Sequence, residues 1–583
     1  MRASTCLPAL LLAACQTTIA LNNAYARSFN ILAELGLNPD GSPFERPSFD
    51  GPAFNAEDAS SADFTIASVA EGSAPAPAEN ISAEYVSLPI DHFDPSKKLG
   101  TFNNRYWASS SSYKPGGPVF IYDVGEANAS SNALFRIQNS TSFFKQIVDQ
   151  YNGIGIVWEH RFYGNSTPGG PVNIDTPAES FRYLNTEQSL ADVAAFASQF
   201  SLKNRGINYT LTPEKTPWVF VGGSYPGMRA AFMREKYPST IYASYASSAP
   251  VQASVDQSFY FEPVWRGMQQ YGFGNCSRDI QAATRYIDGV FDDQDSAAAD
   301  ELKIMFLGKG AEKNSHATFA DALTTIFATW QSYGMEGGNT GLRKLCDWIE
   351  TGTNTSSVQV HNQKNMPKAV QRWASYPYFA TNVNTYLETN CSGKADVVGD
   401  CDLDRKFTDP AMISWTWQYC TQWGYFQSAN LGPRQLVSKY NSLVHQKDIC
   451  HRQFPDAPRD IFPEWPAVDK TNRKFGGWDI RPSNTYWSNG EFDPWRTLSP
   501  ASAEPFAPKV VVSQDLPKCG AEQKDLFGYV IPNAQHCYDF RTTGVTVPGG
   551  AVSRGYFTGA LSSWLECWKP NGQSGYPGKP WKA

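Results

Sequence analysis

The chain has 583 residues, a formal net charge of −7 at neutral pH and 41% hydrophobic residues. This length exceeds what one simple core needs, so we expect two domains or one domain with a large insertion. The acidic balance argues against nucleic acid or an anionic membrane surface as a partner. Beyond the amino terminus, no stretch of the sequence has the roughly 18 apolar residues that a membrane span needs.

The amino terminus has the pattern of a secretory signal. Arg2 supplies a positive charge, residues 6–20 are mostly apolar, and small residues at Ala20 and Ala26 suit cleavage. We therefore predict a signal peptide within 1–26 and a secreted, extracellular protein. A buried amino-terminal helix is the alternative for the segment, and a vacuolar or lysosome-like compartment remains open.

The next segment, 27–82, is predicted to be a low-complexity linker or a propeptide-like segment. From residue 38 onward it is rich in Pro, Ser, Ala, Gly and acidic residues, with scattered Phe. Such a composition buries too little apolar surface to fold alone. A small structured subdomain is the alternative.

From residue 83 onward, apolar runs alternate with helical stretches. The runs at 118–122 and 153–158 are typical of strands that are buried on both faces of a parallel sheet. A helical stretch at 187–200 precedes further runs at 218–221 and 241–246. The alternation predicts an open, parallel α/β sheet.

This alternation stops between 251 and 475, where helical periodicity, tryptophans and cysteines dominate. We interpret that region as a helical insertion over the sheet. Strands then return at 485–487 and 509–513, before a final amphipathic helix that carries Phe557, Leu561, Trp564, Leu565 and Trp568 on one face. The prediction is one sheet domain built from 83–250 and 476–583, with a cap domain at 251–475.

A glycine-rich corner, Gly222-Gly223-Ser224-Tyr225-Pro226-Gly227, lies between the 218–221 run and a helical stretch that begins at Met228. A strand, a tight corner and a helix in this order can raise a serine hydroxyl out of a sheet for nucleophilic attack. Pro226 stands where this motif has its second glycine, and proline suits the first turn of a helix. We predict Ser224 as a nucleophile; an ordinary turn is the alternative.

A serine nucleophile in such a sheet should be followed along the chain by an acid and then by a histidine. Of the seven histidines, only His536 follows the returning strands. Asp493 comes shortly after the 485–487 run and an Asn-Gly turn, which predicts it as the acid, with Glu491 as a neighbouring competitor. Alternatively, His536 is an ordinary loop residue.

The predicted roles follow from acyl-transfer chemistry. His536 takes the Ser224 proton and returns it to the leaving group, while Asp493 holds the imidazole in the useful tautomer. The developing oxyanion needs hydrogen-bond donors. We predict the Tyr225 N–H as one donor and an N–H around Gly125 or Glu126 as the second.

Further features agree with export. Asparagines in Asn-x-Ser/Thr acceptor sites indicate a glycosylated surface: Asn80, Asn128, Asn139, Asn165, Asn208, Asn275, Asn354 and Asn390. Nine cysteines follow the predicted signal peptide, so most should be paired and at least one should be free or join two chains. No ligand spacing suggests a metal site, and we predict no metal or cofactor. A homodimer remains open.

Several blocks of the sequence resemble the prolyl carboxypeptidase and dipeptidyl-peptidase II family of serine peptidases, which includes the fungal acid prolyl endopeptidases. They are Asp91-His92-Phe93, Thr101-Phe102-Asn103-Asn104-Arg105-Tyr106-Trp107, Glu159-His160-Arg161-Phe162-Tyr163-Gly164, Tyr183-Leu184-Asn185-Thr186-Glu187-Gln188, Gly222-Gly223-Ser224-Tyr225, Trp417-Gln418-Tyr419-Cys420, Asn489-Gly490, Asp493-Pro494-Trp495 and His536-Cys537. The resemblance implies an α/β-hydrolase fold with a large inserted helical cap domain. It also implies cleavage on the carboxyl side of proline, with proline-containing peptides as substrates.

The same resemblance implies Ser224, Asp493 and His536 as the triad, and Tyr225, Met228 and Trp495 as walls of the proline pocket. An aromatic slot suits the rigid pyrrolidine ring, although these side chains are also ordinary core residues in the alternative interpretation. We interpret the Glu159-His160-Arg161 block as structural, because a glutamate and an arginine at a strand end favour a buried ion pair. His160 as the base is the minor alternative.

The leading function is therefore a Pro-Xaa carboxypeptidase or an acid prolyl endopeptidase. A dipeptidyl aminopeptidase of the same family is an alternative that Gln422 weakens, since relatives often carry a glutamate there that could bind a substrate amine. An esterase on the same fold and a non-catalytic binding protein are the remaining alternatives.

Overall fold

The computed structural model describes residues 31–44, 80–293, 295–351, 366–518, 525–543 and 547–570. The predicted signal peptide, most of the predicted linker and the acceptor Asn354 lie outside these residues.

A twisted sheet of nine strands, in the order β1-β2-β4-β3-β5-β6-β9-β11-β10, forms the centre of the molecule. Its strands are β1 (Glu84–Pro89), β2 (Thr101–Ser109), β3 (Val119–Asp123), β4 (Ile154–Trp158), β5 (Trp218–Gly223), β6 (Ala243–Ser247), β9 (Thr485–Gly490), β10 (Val512–Ser513) and β11 (Leu526–Ile531). The β1–β2 and β2–β4 pairs are antiparallel, and the pairs from β4 to β10 are parallel. The predicted α/β-hydrolase fold is confirmed.

Successive residues of the central strands point to opposite faces of the sheet, and both faces are covered. Val119 and Ile121 pack into one apolar cluster, whereas Phe120 and Tyr122 pack into the other. The helices of the sheet domain are α1 (Ala133–Gln138), α2 (Phe143–Gln150), α3 (Thr186–Ala197), α4 (Tyr225–Lys236) and α16 (Gly549–Cys567). Burial on both faces explains why these strands are continuous apolar runs in the sequence.

Between β6 and β9 the described elements are helical, apart from a parallel pair formed by β7 (Ser254–Asp256) and β8 (Gly424–Phe426). The helices are α5 (Phe261–Gln270), α6 (Gly274–Asp292), α7 (Ser296–Leu307), α8 (His316–Thr324), α9 (Trp330–Tyr333), α10 (Leu342–Thr351), α11 (Lys368–Ala374), α12 (Phe379–Tyr386), α13 (Pro410–Gln418), α14 (Leu443–Gln453) and α15 (Val468–Phe475). Disulfides join Cys276 to Cys346, Cys391 to Cys401 and Cys420 to Cys450. We call this part of the chain the insertion.

Some predicted elements differ in extent from the observed ones. The predicted strand at 509–513 is paired only over Val512–Ser513, because it lies at the sheet edge, where Val511 is 66% exposed. The helix after the glycine-rich corner begins three residues earlier than predicted, at Tyr225. In α16 the apolar face is as expected, with Phe557, Leu561 and Trp564 buried.

Residues 31–44, within the predicted linker, pack against both the sheet domain and the insertion. Glu34 is buried and its carboxylate accepts two hydrogen bonds from Arg136 of α1. The Tyr333 hydroxyl of α9 donates to the Leu37 carbonyl at 2.9 Å. Burial of Glu34 raises its pKa, and Arg136 acts in the opposite direction. Low complexity begins only at residue 38, which is why composition did not reveal this contact.

Within the described ranges, no helix combines the length and the apolar character needed to cross a membrane.

Candidate active site

Ser224 is held in a strained conformation at the end of β5. Its φ of 67° and ψ of −131° lie in a region that residues other than glycine rarely adopt. The Ser224 N–H donates to the Ser247 carbonyl of β6 at 2.9 Å, and its carbonyl accepts from the Met228 N–H. The strand on one side and the helix on the other therefore fix this corner, as predicted for a nucleophile.

Two glycines allow α4 to come this close to β5 and β6. A Cβ atom on Gly222 would lie 2.2 Å from the Pro226 carbonyl oxygen, and one on Gly227 would lie 2.4 Å from the Ser247 oxygen. Pro226 occupies the first turn of α4, where a missing N–H costs nothing. The substitution of proline for the usual glycine is thus accommodated because Gly227 takes the crowded position.

Asp493 and His536 form a fully buried pair. The His536 Nδ1 lies 2.9 Å from Asp493 Oδ1 and 3.0 Å from Oδ2, so the ring donates its Nδ1 proton to the carboxylate. The His536 Nε2 is buried and has no hydrogen-bond partner among the described residues. Burial opposes the charged imidazole, but the Asp493 carboxylate outweighs it and raises the pKa of His536. This tautomer leaves Nε2 able to accept a proton.

The carboxylate of Glu491, the other candidate acid, bonds to a group other than His536. Glu491 Oε2 accepts the Asn533 N–H at 2.8 Å, which fixes the turn before His536. Asp493 itself accepts the Trp495 N–H at 2.9 Å as the cap of a short 3-10 helix, Pro494–Leu498. The structure therefore brings His536 to Asp493 rather than to Glu491.

The His536 loop and the Ser224 corner contact each other at the end of β6. A Cβ atom on Gly223 would lie 2.7 Å from the Cys537 sulfur, so the neighbours of Ser224 and His536 touch. The Cys537 N–H donates to the Ser248 hydroxyl at 2.8 Å, one residue after the carbonyl that holds Ser224. All three predicted triad residues thus converge on the carboxyl ends of β5, β6 and β9.

The N–H groups predicted to bind the oxyanion differ in their hydrogen bonding. Tyr225 is the first residue of α4, so its N–H has no acceptor within that helix. The Gly125 N–H donates to the Asp123 carboxylate at 2.9 Å and is thereby engaged in the turn after β3. Glu126, the other predicted residue after β3, is fully buried.

The Tyr225 side chain lies in a buried polar network that links the corner to the insertion. Its hydroxyl is 3.0 Å from His160 Nε2 and accepts a hydrogen bond from Gln418 Nε2 at 2.7 Å. The Tyr163 hydroxyl donates to Gln418 Oε1 at 2.5 Å. His160 is therefore bonded to Tyr225, the residue after Ser224, whereas it is His536 that contacts Asp493.

Trp495 and Met228, the other two predicted pocket residues, both contact Tyr425 of β8. The Tyr425 hydroxyl is 3.6 Å from the Met228 sulfur, and the Trp495 and Tyr425 rings are 5.3 Å apart between centroids. The Trp495 ring is also 6.5 Å from the His536 imidazole and only 1% exposed. Met228, Tyr425 and Trp495 thus form a buried, apolar cluster beside the His536 ring.

The Glu159-His160-Arg161 block forms two separate ion pairs rather than one. Glu159 pairs with Arg105 of β2 at 2.5 Å, and Arg161 pairs with Asp192 of α3 at 2.6 Å. The expectation of buried ion pairing was right, but the partners come from distant parts of the chain. Both pairs hold the loop that follows β4.

Other predictions concern the surface and the cysteines. The seven described acceptor asparagines, all except Asn354, are exposed. Among the described residues Cys537 is a free cysteine, and it is buried. Cys567 is disulfide-bonded. Within the described ranges no cluster of His, Cys, Asp or Glu is suited to a metal ion.

Two supporting residues carry no sequence signal. The Asp539 carboxylate accepts hydrogen bonds from the hydroxyls of Tyr245, Ser247 and Ser488, and so ties the base loop to β6 and β9. Gln331 of α9 bonds both to the His536 main chain and to the Trp495 side chain. Neither could be found without the fold, because each contact joins residues more than 50 positions apart in the sequence.

An α/β sheet with a strained serine after a central strand and a buried His–Asp pair beside it defines the class of α/β-hydrolases. A family model described as serine carboxypeptidase S28 matches residues 88–546. The chain belongs to this family of serine peptidases.

Individual relatives agree with this assignment. The chain is 29% identical to a probable extracellular serine carboxypeptidase of Arthroderma benhamiae, with a match over 71% of this chain and 59% of that protein. It is 26% identical to the thymus-specific serine protease of Mus musculus over 83% of this chain and 87% of the relative. Among solved structures, a proline iminopeptidase of Mycobacterium smegmatis aligns with a TM-score of 0.28 and 12% identity, over 82% of this chain and 99% of that one.

Proposed function

We propose that this protein is an exported serine peptidase that hydrolyses peptide bonds on the carboxyl side of proline. The observation that carries the proposal is the meeting of the strained Ser224 corner with the buried His536–Asp493 pair at one edge of the sheet. Exposed acceptor asparagines, the disulfides and an extracellular relative support export.

In the proposed mechanism the Ser224 hydroxyl attacks the carbonyl of the bond that follows proline. His536 Nε2 accepts the hydroxyl proton, while Asp493 holds the Nδ1 proton and stabilises the imidazolium. The N–H groups of Tyr225 and Glu126 would stabilise the oxyanion. The imidazolium then protonates the leaving amine, and water hydrolyses the acyl-enzyme by the same steps in reverse.

Proline selection is proposed for the buried aromatic cluster beside His536. Its members are the Trp495 and Tyr425 rings and the Met228 thioether, a flexible group that fills irregular apolar gaps. A five-membered ring without an N–H donor suits such walls better than an extended polar side chain does.

Among the possible modes of peptide cleavage, the contacts of Gln422 favour carboxypeptidase or endopeptidase action over aminopeptidase action. Its amide carbonyl accepts from Thr186, and its NH₂ donates to Glu187 at 3.1 Å. Glu187 in turn pairs with Lys474 at 2.5 Å. The nearby carboxylate is therefore already matched by a cation and by an amide, which leaves little negative charge for a substrate amine.

One set of peptides tests this proposal. A single proline-containing sequence is prepared with a blocked amino terminus, with a blocked carboxyl terminus and with both termini blocked, next to alanine counterparts and a short-chain ester. Cleavage after proline that survives a blocked amino terminus supports the proposal, and the carboxyl-blocked peptides then separate carboxypeptidase from endopeptidase action. A requirement for a free amino terminus would establish the dipeptidyl aminopeptidase, and hydrolysis of the ester alone would establish an esterase.

A further inference from the structure

The four-residue helix α9 of the insertion lies against both loops that carry the acid and the base. The Trp330 Nε1 donates to the carbonyl of Phe492, one residue before Asp493, at 3.1 Å. The Gln331 carbonyl accepts the His536 N–H at 3.0 Å. A helix that belongs to the insertion thus fixes the main chain on either side of the His–Asp pair.

The Gln331 side chain adds a second contact to the same place. Its Oε1 accepts a hydrogen bond from the Trp495 indole N–H at 2.9 Å and another from the Tyr260 hydroxyl at 3.1 Å. The side chain is buried, with 4% exposure. One residue therefore holds the base loop through its main chain and the aromatic wall through its side chain.

The three groups that meet at Gln331 keep the same protonation state, so their hydrogen bonds persist. Burial raises the pKa of Tyr260, and the Asp493 charge raises it further, so its hydroxyl remains protonated and continues to donate. The indole N–H does not titrate, and a neutral amide brings no charge close to the His–Asp pair. Both donors are buried, so losing their shared acceptor leaves two unpaired polar groups.

We propose that Gln331 is a positioning residue that sets the Trp495 ring relative to the His536 imidazole, and thereby contributes to proline selectivity. The inference rests on the proposed function in placing Trp495 at the substrate proline. The 6.5 Å separation of the two rings is then fixed by one residue that bonds to both loops. Through this residue the insertion takes part in selectivity, and not only in covering the site.

The test is Gln331→Met, which retains the length and approximate volume of the side chain, removes the acceptor that Trp495 and Tyr260 share, and leaves the main-chain bond to His536. We expect kcat/KM for the proline peptide to fall by about 10-fold or more, with a smaller fall for the alanine peptide. Labelling of Ser224 by a fluorophosphonate should stay within about 3-fold of wild type, because the triad is intact. Gln453→Met is the matched control.

Gln453 is a buried amide of the same insertion, but it bonds to the Phe407 main chain, away from both catalytic loops. This control should lower the melting temperature without changing the ratio of proline to alanine kcat/KM. If both variants change the ratio equally, or if Gln331→Met reduces both substrates alike, the inference is wrong.

A double-mutant cycle separates positioning from general damage. Trp495→Phe removes the indole donor, so adding Gln331→Met to it should cost clearly less than in the wild-type background. Independent, multiplicative losses would contradict the inference.

A second variant is available if Gln331→Met fails to fold. Tyr260→Phe removes the second donor and should by itself lower the ratio of proline to alanine kcat/KM; an unchanged ratio would then contradict the inference. Absence of proline preference in the wild type overturns the proposed function, whereas preference that survives in all variants overturns only the role of Gln331.

Discussion

At the carboxyl edge of the sheet, three arginine–carboxylate pairs lie almost fully buried, whereas the insertion is joined by three disulfides. The buried pairs are Arg105–Glu159, Arg161–Asp192 and Arg229–Asp123. Ion pairs on the insertion are mostly exposed; in Arg405–Asp400, for example, the two side chains are 35% and 72% exposed. Charge in a low-dielectric interior thus holds the catalytic edge, and covalent links hold the covering helices.

Buried ion pairs and disulfides stabilise a protein in different ways. A buried pair fixes the direction of two side chains and of the loops that bond to them. Glu159 also accepts the N–H groups of Ala129 and Asn165, so it organises the turn after β3 and the turn after β4. A disulfide stabilises mainly by restricting the unfolded chain. We therefore expect damage to the sheet edge to reduce stability and turnover together, and damage to the disulfides to reduce stability alone.

The largest expected effect concerns the acid at that edge. Asp493→Asn should lower kcat by roughly 10⁴-fold, because the asparagine favours the wrong imidazole tautomer. Glu491→Gln, whose carboxylate bonds to the Asn533 N–H instead, should be mild. Steady-state kinetics on both purified variants decides the matter, and a reversed order of the two effects would make Glu491 the acid.

Glu159→Gln should be the most destabilising of the remaining changes. It leaves the Arg105 guanidinium buried without its charged partner, which typically costs about 3–5 kcal/mol. Because the turn after β3 loses an anchor, kcat should fall as well. Breaking the exposed pair with Arg405→Gln should cost at most about 1 kcal/mol. Chemical denaturation of both variants measures the contrast, and equal losses would remove the distinction between edge and surface.

The double substitution Cys420→Ala with Cys450→Ala removes a disulfide that closes a loop of 30 residues. The free energy of unfolding should fall by about 3 kcal/mol. Turnover at a temperature where the variant is folded should stay near the wild-type value. Denaturation and kinetics on the same preparation test this pair of expectations. A large loss of kcat in fully folded protein would show that the disulfide positions catalytic groups.

The smallest effect is a shift in pH dependence. His536 must be neutral to accept the Ser224 proton, so kcat/KM rises with pH through its pKa, which Asp493 raises against the effect of burial. Removing the Asp493 charge should lower that pKa, so the acidic limb of Asp493→Asn should lie at lower pH than that of wild type. An acidic limb at the same pH in both proteins would contradict the assigned pair.

The same pair has a signature in stability. A raised histidine pKa stabilises the fold fully below the unfolded value of about 6.5, and this contribution is lost as pH rises through the folded value. The wild-type advantage over Asp493→Asn in free energy of unfolding should therefore shrink above neutral pH. Denaturation curves at several pH values measure this trend.

Much of the sheet could be predicted from the sequence because each strand and the Ser224 corner are encoded by neighbouring residues. Strands that are buried on both faces are apolar runs, and the Ser224 corner needs its glycines within five residues. Asp493 and His536 could be predicted because chain order and strand ends limit the choices. The edge strand β10 is shorter than predicted, since Val511 is exposed and Val512 is only partly buried.

The supporting contacts could not be predicted in this way. Arg161 pairs with Asp192 rather than with its neighbour Glu159, and Gln331 bonds to Trp495 across 164 positions. Gly125 was a plausible oxyanion donor until its N–H was found to donate to Asp123 two residues earlier. Such choices depend on which loops the sheet brings together, and no periodicity or local motif encodes them.

The central claim is that the Ser224 corner supplies the nucleophile for peptide hydrolysis after proline. The most direct measurement compares wild type and Ser224→Ala for fluorophosphonate labelling and for cleavage of the proline peptide, with melting temperatures recorded on the same samples. We expect labelling at Ser224 in wild type, none in the variant, a loss of at least about 10³-fold in kcat, and similar melting temperatures. Retained cleavage by folded Ser224→Ala, or labelling at another residue, would contradict the account.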